Sequence, residues 1–132
     1  MTILLLEDEP AVLKLAIGML RPHTVFPATT WDEAMEVFRS NPSGIDLLIA
    51  DVTIPVLSGV QVARLIRGDK PGLPVILVSG YPLANWAALD SSELAKLGTD
   101  SVVILEKPFA RQQLLEAIRS LTGGAWASVG NG

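Results

Sequence analysis

Five short apolar runs, separated by segments with helical spacing, constrain this chain more than any other feature. They are Ile3–Leu6, Thr24–Ala28, Ile45–Asp51, Pro74–Val78 and Ser101–Leu105. Most are unbroken rather than alternating, the pattern of strands covered on both faces. The segments between them are long enough for helical crossovers, and strand–helix alternation of this kind builds a parallel sheet with helices on both sides. The expected architecture is a single doubly wound α/β layer without repeats or a second domain.

The helices announce themselves by their ends. Pro10 fits a first helical turn, where a missing N–H costs nothing, and Ala11–Leu20 follows with Val12, Leu15/Ala16 and Met19 on one face. Thr30-Trp31-Asp32-Glu33 reads as a capping box, with Ala34, Val37 and Phe38 facing inward and Asn41–Gly44 closing the helix. Ser58 caps a third helix from Gly59 to Arg67, which ends at the turn Gly68–Gly72. Leu83–Gly98 is the hardest stretch to read. Ser91 or Ser92 is the expected cap of its helix, Gly98 the expected stop, and Trp86 and Leu89 are assigned to a preceding turn. Leu114, Ala117, Ile118 and Leu121 form the core stripe of a last helix, which puts the domain at residues 1–121 and a loose tail at residues 122–132.

Composition narrows the function classes. The 132 residues carry 10 basic and 14 acidic side chains, a net charge of −4 with no Lys/Arg cluster, which argues against a nucleic-acid surface. Without cysteine there is no disulfide framework or thiolate site, and a single histidine, His23, which is read as a surface residue, leaves zinc sites and catalytic triads without partners. No apolar run approaches a membrane span, and Met1 leads into Thr2-Ile3-Leu4 without a signal-peptide pattern, so a cytoplasmic location is expected.

In a parallel sheet the carboxyl ends of the strands share one edge, where ligands and chemistry collect. Here those ends carry Glu7 and Asp8, Asp51, Ser79 and Lys107. Each has an ordinary reading: Glu7-Asp8-Glu9 can compensate a helix dipole, Asp51 can cap a turn, Ser79 can be a turn serine and Lys107 a solvated strand-end lysine. Together they fit phosphoryl transfer. Clustered carboxylates call for a hard cation such as Mg²⁺, an ammonium supplies a point charge for an anion, and Asp51 can act as the nucleophile.

Leu5–Pro10, Asp51–Gly59, Val75–Gly80 and Leu105–Phe109, in this order and spacing, resemble the receiver (REC) domain of bacterial two-component response regulators over residues 2 to about 121. The resemblance implies a flavodoxin-like, five-stranded parallel sheet in strand order 2-1-3-4-5. It implies Asp51 as phosphoacceptor, Glu7 and Asp8 as the metal-binding acids, and the backbone carbonyl of Thr53 as a further Mg²⁺ ligand. Ser79 becomes the hydroxyl switch residue, Lys107 the phosphoryl contact, and the Lys107–Pro108 peptide is expected to be cis. The function implied is a phosphoacceptor signalling switch, not an enzyme with a separate substrate. Its partners are a histidine kinase or histidine phosphotransfer protein and a downstream protein, with a weak homodimer also to be considered. A receiver-like scaffold that works without phosphorylation is the alternative. A haloacid-dehalogenase-like phosphatase is excluded because Thr53 stands where that family needs its second Asp.

The chain departs from the family pattern in three places, of which the second and third bear on readout. Ile54 replaces a usual methionine, a volume-conserving change. Ile104 replaces the usual Tyr or Phe, and the interval from Ser79 to Lys107 is longer than usual. An isoleucine buried in both states has no large ring to move, so any switching is expected to fall on residues 80–98.

Overall fold

The computed structural model describes residues 1–123, and the tail expected at 122–132 lies almost wholly outside them. Strands β1 (Thr2–Leu6), β2 (Thr24–Ala28), β3 (Leu47–Asp51), β4 (Val75–Ser79) and β5 (Val102–Glu106) alternate with helices α1 (Pro10–Met19), α2 (Trp31–Ser40), α3 (Gly59–Asp69), α4 (Ala88–Leu97) and α5 (Arg111–Thr122). All strand pairs are parallel and the order is β2-β1-β3-β4-β5, the flavodoxin-like arrangement. The three central strands are the unbroken apolar runs, and β3 and β4 are buried along their whole length. The edges differ: β2 carries Pro27, which cannot donate to a ladder, and β5 has no fully buried residue.

Alternation of side chains across the strands divides the core in two. One layer packs Leu4, Leu6, Leu48, Ala50, Val75 and Leu77 against α2 and α3 residues such as Phe38, Val62 and Ile66. The other packs Ile3, Leu5, Ile49, Ile76 and Val78 against Ala16 and Leu20, and against Leu114 and Ile118 of α5. At roughly 1.5–3 kcal/mol for each large aliphatic side chain fully buried, these two layers dominate the stability of the fold. Arg67 clamps the opposite edge, with Nε donating to the Leu73 carbonyl and Nη2 to those of Asp100 and Ser101.

Several local expectations need correction. α4 begins at Ala88, with neither Ser91 nor Ser92 as its cap, because the burial of Trp86 ends a short 3₁₀ turn at Leu83–Asn85 and the chain coils immediately afterwards. Leu89 therefore belongs to the helix, while Trp86 closes the turn as expected. Thr30 accepts from the Glu33 N–H, but the Glu33 carboxylate reaches the N–H of Thr29 rather than that of Thr30. His23 lies half-buried in the connection between α1 and β2. Ile104 is 37% exposed rather than buried, because β5 is an edge strand and α4 buries no side chain that could cover it.

Candidate functional site

The parallel sheet brings the ends of β1, β3, β4 and β5 to one edge. Glu7 and Asp8 follow β1, Asp51 ends β3, Ser79 ends β4, and Lys107 lies one residue past β5. The backbone N–H of Lys107 donates to the Ser79 carbonyl at 2.7 Å, which keeps the β5 exit beside β4. The Lys107–Pro108 peptide is cis, as expected from the sequence, and Arg21–Pro22 is also cis.

Lys107 sits between two carboxylates. Its Nζ donates to Glu7 Oε1 at 2.8 Å and to Asp51 Oδ2 at 2.7 Å. Asp51 Oδ1 accepts from the Thr53 N–H at 2.9 Å, and Glu7 Oε2 from the Glu9 N–H at 3.2 Å. Glu7 and Asp51 are both buried, so their charges are little screened by water. Burial pushes the Glu7 carboxyl up to about 7, with neighbouring Asp51 adding to the rise. Lys107 and the Glu9 N–H pull the other way without cancelling it. For Lys107, burial works against the ammonium, but hydrogen bonds and attraction from Asp51 and Glu7 prevail and hold its pKa above the usual lysine value.

Carboxylate oxygens of Glu7, Asp8 and Asp51 all lie within 4.8 Å of one another. Three acids facing one ammonium leave negative charge uncompensated at this edge. The donors are all hard oxygens, which fits a divalent ion of the Mg²⁺ type and no soft metal. The acidic cluster and the ammonium are therefore brought together as the sequence reading requires.

Ser79 is at the same edge, but its hydroxyl is hydrogen-bonded to Tyr81 and Trp86 and not to Asp51. Its side chain is fully buried; Oγ donates to the Tyr81 carbonyl at 2.6 Å and accepts from the Tyr81 N–H and from Trp86 Nε1. The Tyr81 hydroxyl in turn bonds Thr53 Oγ1 at 2.9 Å, so the segment after β4 is tied to the loop after β3. Neither contact was read from the sequence. Trp86 stood out only as an isolated indole in an ambiguous stretch, and nothing in linear spacing pairs it with Ser79.

The loop after Asp51 has its own demands. A Cβ on Gly59 would fall 2.2 Å from the Asp51 carbonyl oxygen, so only glycine lets the first turn of α3 pack against the acceptor's backbone. Ser58 and Gln61 form a reciprocal capping box there. Val56, five residues past Asp51 in that loop, stands 83% exposed with φ 71°, a strained conformation for a β-branched residue.

Comparisons with known proteins agree with this fold. The family model for the response regulator receiver domain matches residues 3–119. A sensor kinase, CckA, of Brucella abortus is 32% identical over 91% of the chain, but that match spans only 12% of the kinase. The probable transcriptional regulatory protein TcrX of Mycobacterium tuberculosis is 28% identical over 91% of the chain and 49% of its own length. The chain thus spans half or less of these relatives. A receiver domain protein from Clostridium thermocellum superposes with a TM-score of 0.78 at 30% identity, covering 92% of this chain and 94% of that one. With the sheet order, the clustered acids and the family match in agreement, the chain belongs to the receiver domain family of two-component response regulators.

Proposed function

We propose that this receiver domain is a phosphoacceptor switch in which Asp51 takes a phosphoryl group from a histidine kinase or histidine phosphotransfer protein. The observation that carries the reading is the Lys107 ammonium held by Asp51 and Glu7, with Asp8 completing an oxygen cluster. An Asp51 carboxylate oxygen forms the new bond to phosphorus as the phosphorus–nitrogen bond of the donor histidine breaks. The leaving imidazole nitrogen keeps the electron pair of that bond. Lys107 then has a phosphoryl oxygen to pair with in place of a carboxylate oxygen, and the Thr53 N–H holds the acceptor carboxylate in orientation. Glu7, Asp8, Asp51 and the Thr53 carbonyl are the groups assigned to Mg²⁺, which when bound offsets the negative charge on the transferring group. Ser79 is the hydroxyl that answers the modification.

Partner access is consistent with the surface. An apolar recess of about 320 Å³ opens beside Lys107, lined by Val12, Leu15 and Met19 of α1 and by Pro108 and Phe109, and it could receive an apolar helix face. The output is a protein contact, in keeping with a net charge of −4, and the cysteine-free chain suits a cytoplasmic setting. No helix among the described residues is long and apolar enough to cross a membrane. Receiver domains are regulatory, and no separate substrate is assigned.

A scaffold that binds without phosphorylation draws support from Ile104, which puts no aromatic ring at the usual position on β5. Intact-mass measurement after incubation with acetyl phosphate and Mg²⁺ separates the two readings. Wild type should gain one phosphoryl group, and Asp51→Asn should gain none. Absence of labelling in both proteins, or equal labelling of both, would defeat the assignment of Asp51.

A further inference from the structure

We infer that Trp86 is the positioning residue that holds the Ser79 hydroxyl out of the acceptor site at rest and moves when the site is phosphorylated. The inference rests on the phosphoacceptor reading and adds to it the group through which the modification is felt.

A serine hydroxyl has one proton and two lone pairs. All three are engaged here, by the Tyr81 carbonyl at 2.6 Å, the Tyr81 N–H at 3.2 Å and the Trp86 indole N–H at 3.1 Å. Asp51 is not among its partners. Phosphoryl oxygens only accept, and a hydrogen bond to them is charge-assisted and therefore stronger than one to a carbonyl. To donate to a phosphoryl group on Asp51, Ser79 must withdraw its only proton from Tyr81 and swing Oγ away. The indole N–H then loses its acceptor. It has no second role to fall back on, since an indole nitrogen only donates, and Trp86 is buried, so the ring has to find another acceptor or turn toward water.

Trp86 is well placed for the movement to matter. It packs into the core layer shared with α2 and α3, at the end of the 3₁₀ turn that leads directly into α4. α4 has no side-chain cap and no fully buried side chain; beside its approach from Trp86, the partly buried Leu94 and Leu97 and the Arg64–Glu93 ion pair are what hold it. Leu83 and Leu89, on either side of Trp86, are already exposed, and displacement of the ring alters an apolar surface around them. Tyr81 carries the same event toward the β3 loop through its bond to Thr53. Ile104, by contrast, stands partly in solvent and has no polar atom with which to follow Ser79.

The test uses the full chain with Mg²⁺ and beryllofluoride as the phosphoryl mimic, followed by the indole N–H signals in ¹H–¹⁵N spectra. Trp86→Phe keeps a ring in the core, removes the donor and assigns the signal by its disappearance. If that variant does not fold, Trp31→Phe and Trp126→Phe assign it by elimination. In the native sequence the Trp86 indole signal should shift on beryllofluoride binding. Trp86→Phe, freed of the restraint, should bind beryllofluoride about three- to tenfold more tightly. Bound beryllofluoride with an unmoved Trp86 indole signal, or unchanged or weaker affinity in a folded Trp86→Phe protein, would overturn the inference and leave Asp51 as acceptor. Failure of beryllofluoride to bind at all in the native chain would overturn both.

Discussion

Glu7 carries opposing demands in the absence of a cation. Its carboxylate is wanted by Lys107, yet burial favours the neutral acid, and its pKa rises from 4.5 to about 7. The folded state therefore binds this proton more tightly than the unfolded chain does. The contribution of Glu7 to stability is largest below about pH 4.5, declines as pH rises toward 7, and is fully lost above it. The shift corresponds to an upper figure of roughly 3 kcal/mol. Lys107 follows the same sign at the alkaline end: its raised pKa stabilises the fold at all pH values below the usual lysine range, and that contribution is lost only as pH rises through the folded value. In metal-free buffer, denaturant midpoints of wild type should fall between about pH 5 and about pH 8, while those of Glu7→Gln should fall much less. Equal slopes in the two proteins would show that Glu7 is not the group responsible.

At the scale of elements, the acceptor is positioned as much by α3 as by β3. The Ser58–Gln61 box starts α3, and Gly59 lets that start press against the carbonyl of Asp51. Gly59→Ala would place a methyl group 2.2 Å from that oxygen and 3.1 Å from the Ala50 Cβ, with backbone rather than a flexible side chain in the way. A loss of about 1–3 kcal/mol is expected, the range for overpacking a well-filled site. Because the strain falls on the acceptor's own backbone, labelling by acetyl phosphate should also slow. Urea denaturation and a labelling time course measure the two effects, and an alanine variant with native stability and rate would refute the packing account. α4 is the contrasting case, uncapped and held from outside by the ion pair between Arg64 and Glu93. Exposed pairs of this kind contribute little, and α4 adds to this one only the partly buried Leu94 and Leu97, whereas α1, α2, α3 and α5 each bury side chains fully.

Across the whole molecule, the parallel topology concentrates acids from β1 and β3 at one edge and offers a single ammonium from β5 to meet them. A divalent cation bound there should stabilise the fold in proportion to its occupancy, by about 2.7 kcal/mol at a hundredfold excess over Kd. Melting wild type in EDTA and then in Mg²⁺ should show a rise in Tm, and Asp8→Asn should show a much smaller one. An equal rise in both would place the cation elsewhere.

The sequence by itself determined the elements and the edge. Unbroken apolar runs specify strands buried on both faces, helical crossovers specify parallel pairing, and parallel pairing sends Glu7, Asp8, Asp51, Ser79 and Lys107 to a common side. Ser58 and Pro10 marked helix starts because caps are local, decided within one turn of chain. What depended on neighbours distant in sequence was not legible. The start of α4 followed from the burial of Trp86 rather than from a nearby serine, and the exposure of Ile104 followed from its place on an edge strand. Only the tertiary structure decided that the Ser79 hydroxyl faces Trp86 and Tyr81 instead of Asp51, because a side chain's hydrogen-bond partners are set by which atoms packing brings within 3 Å or so, and linear spacing carries no record of that.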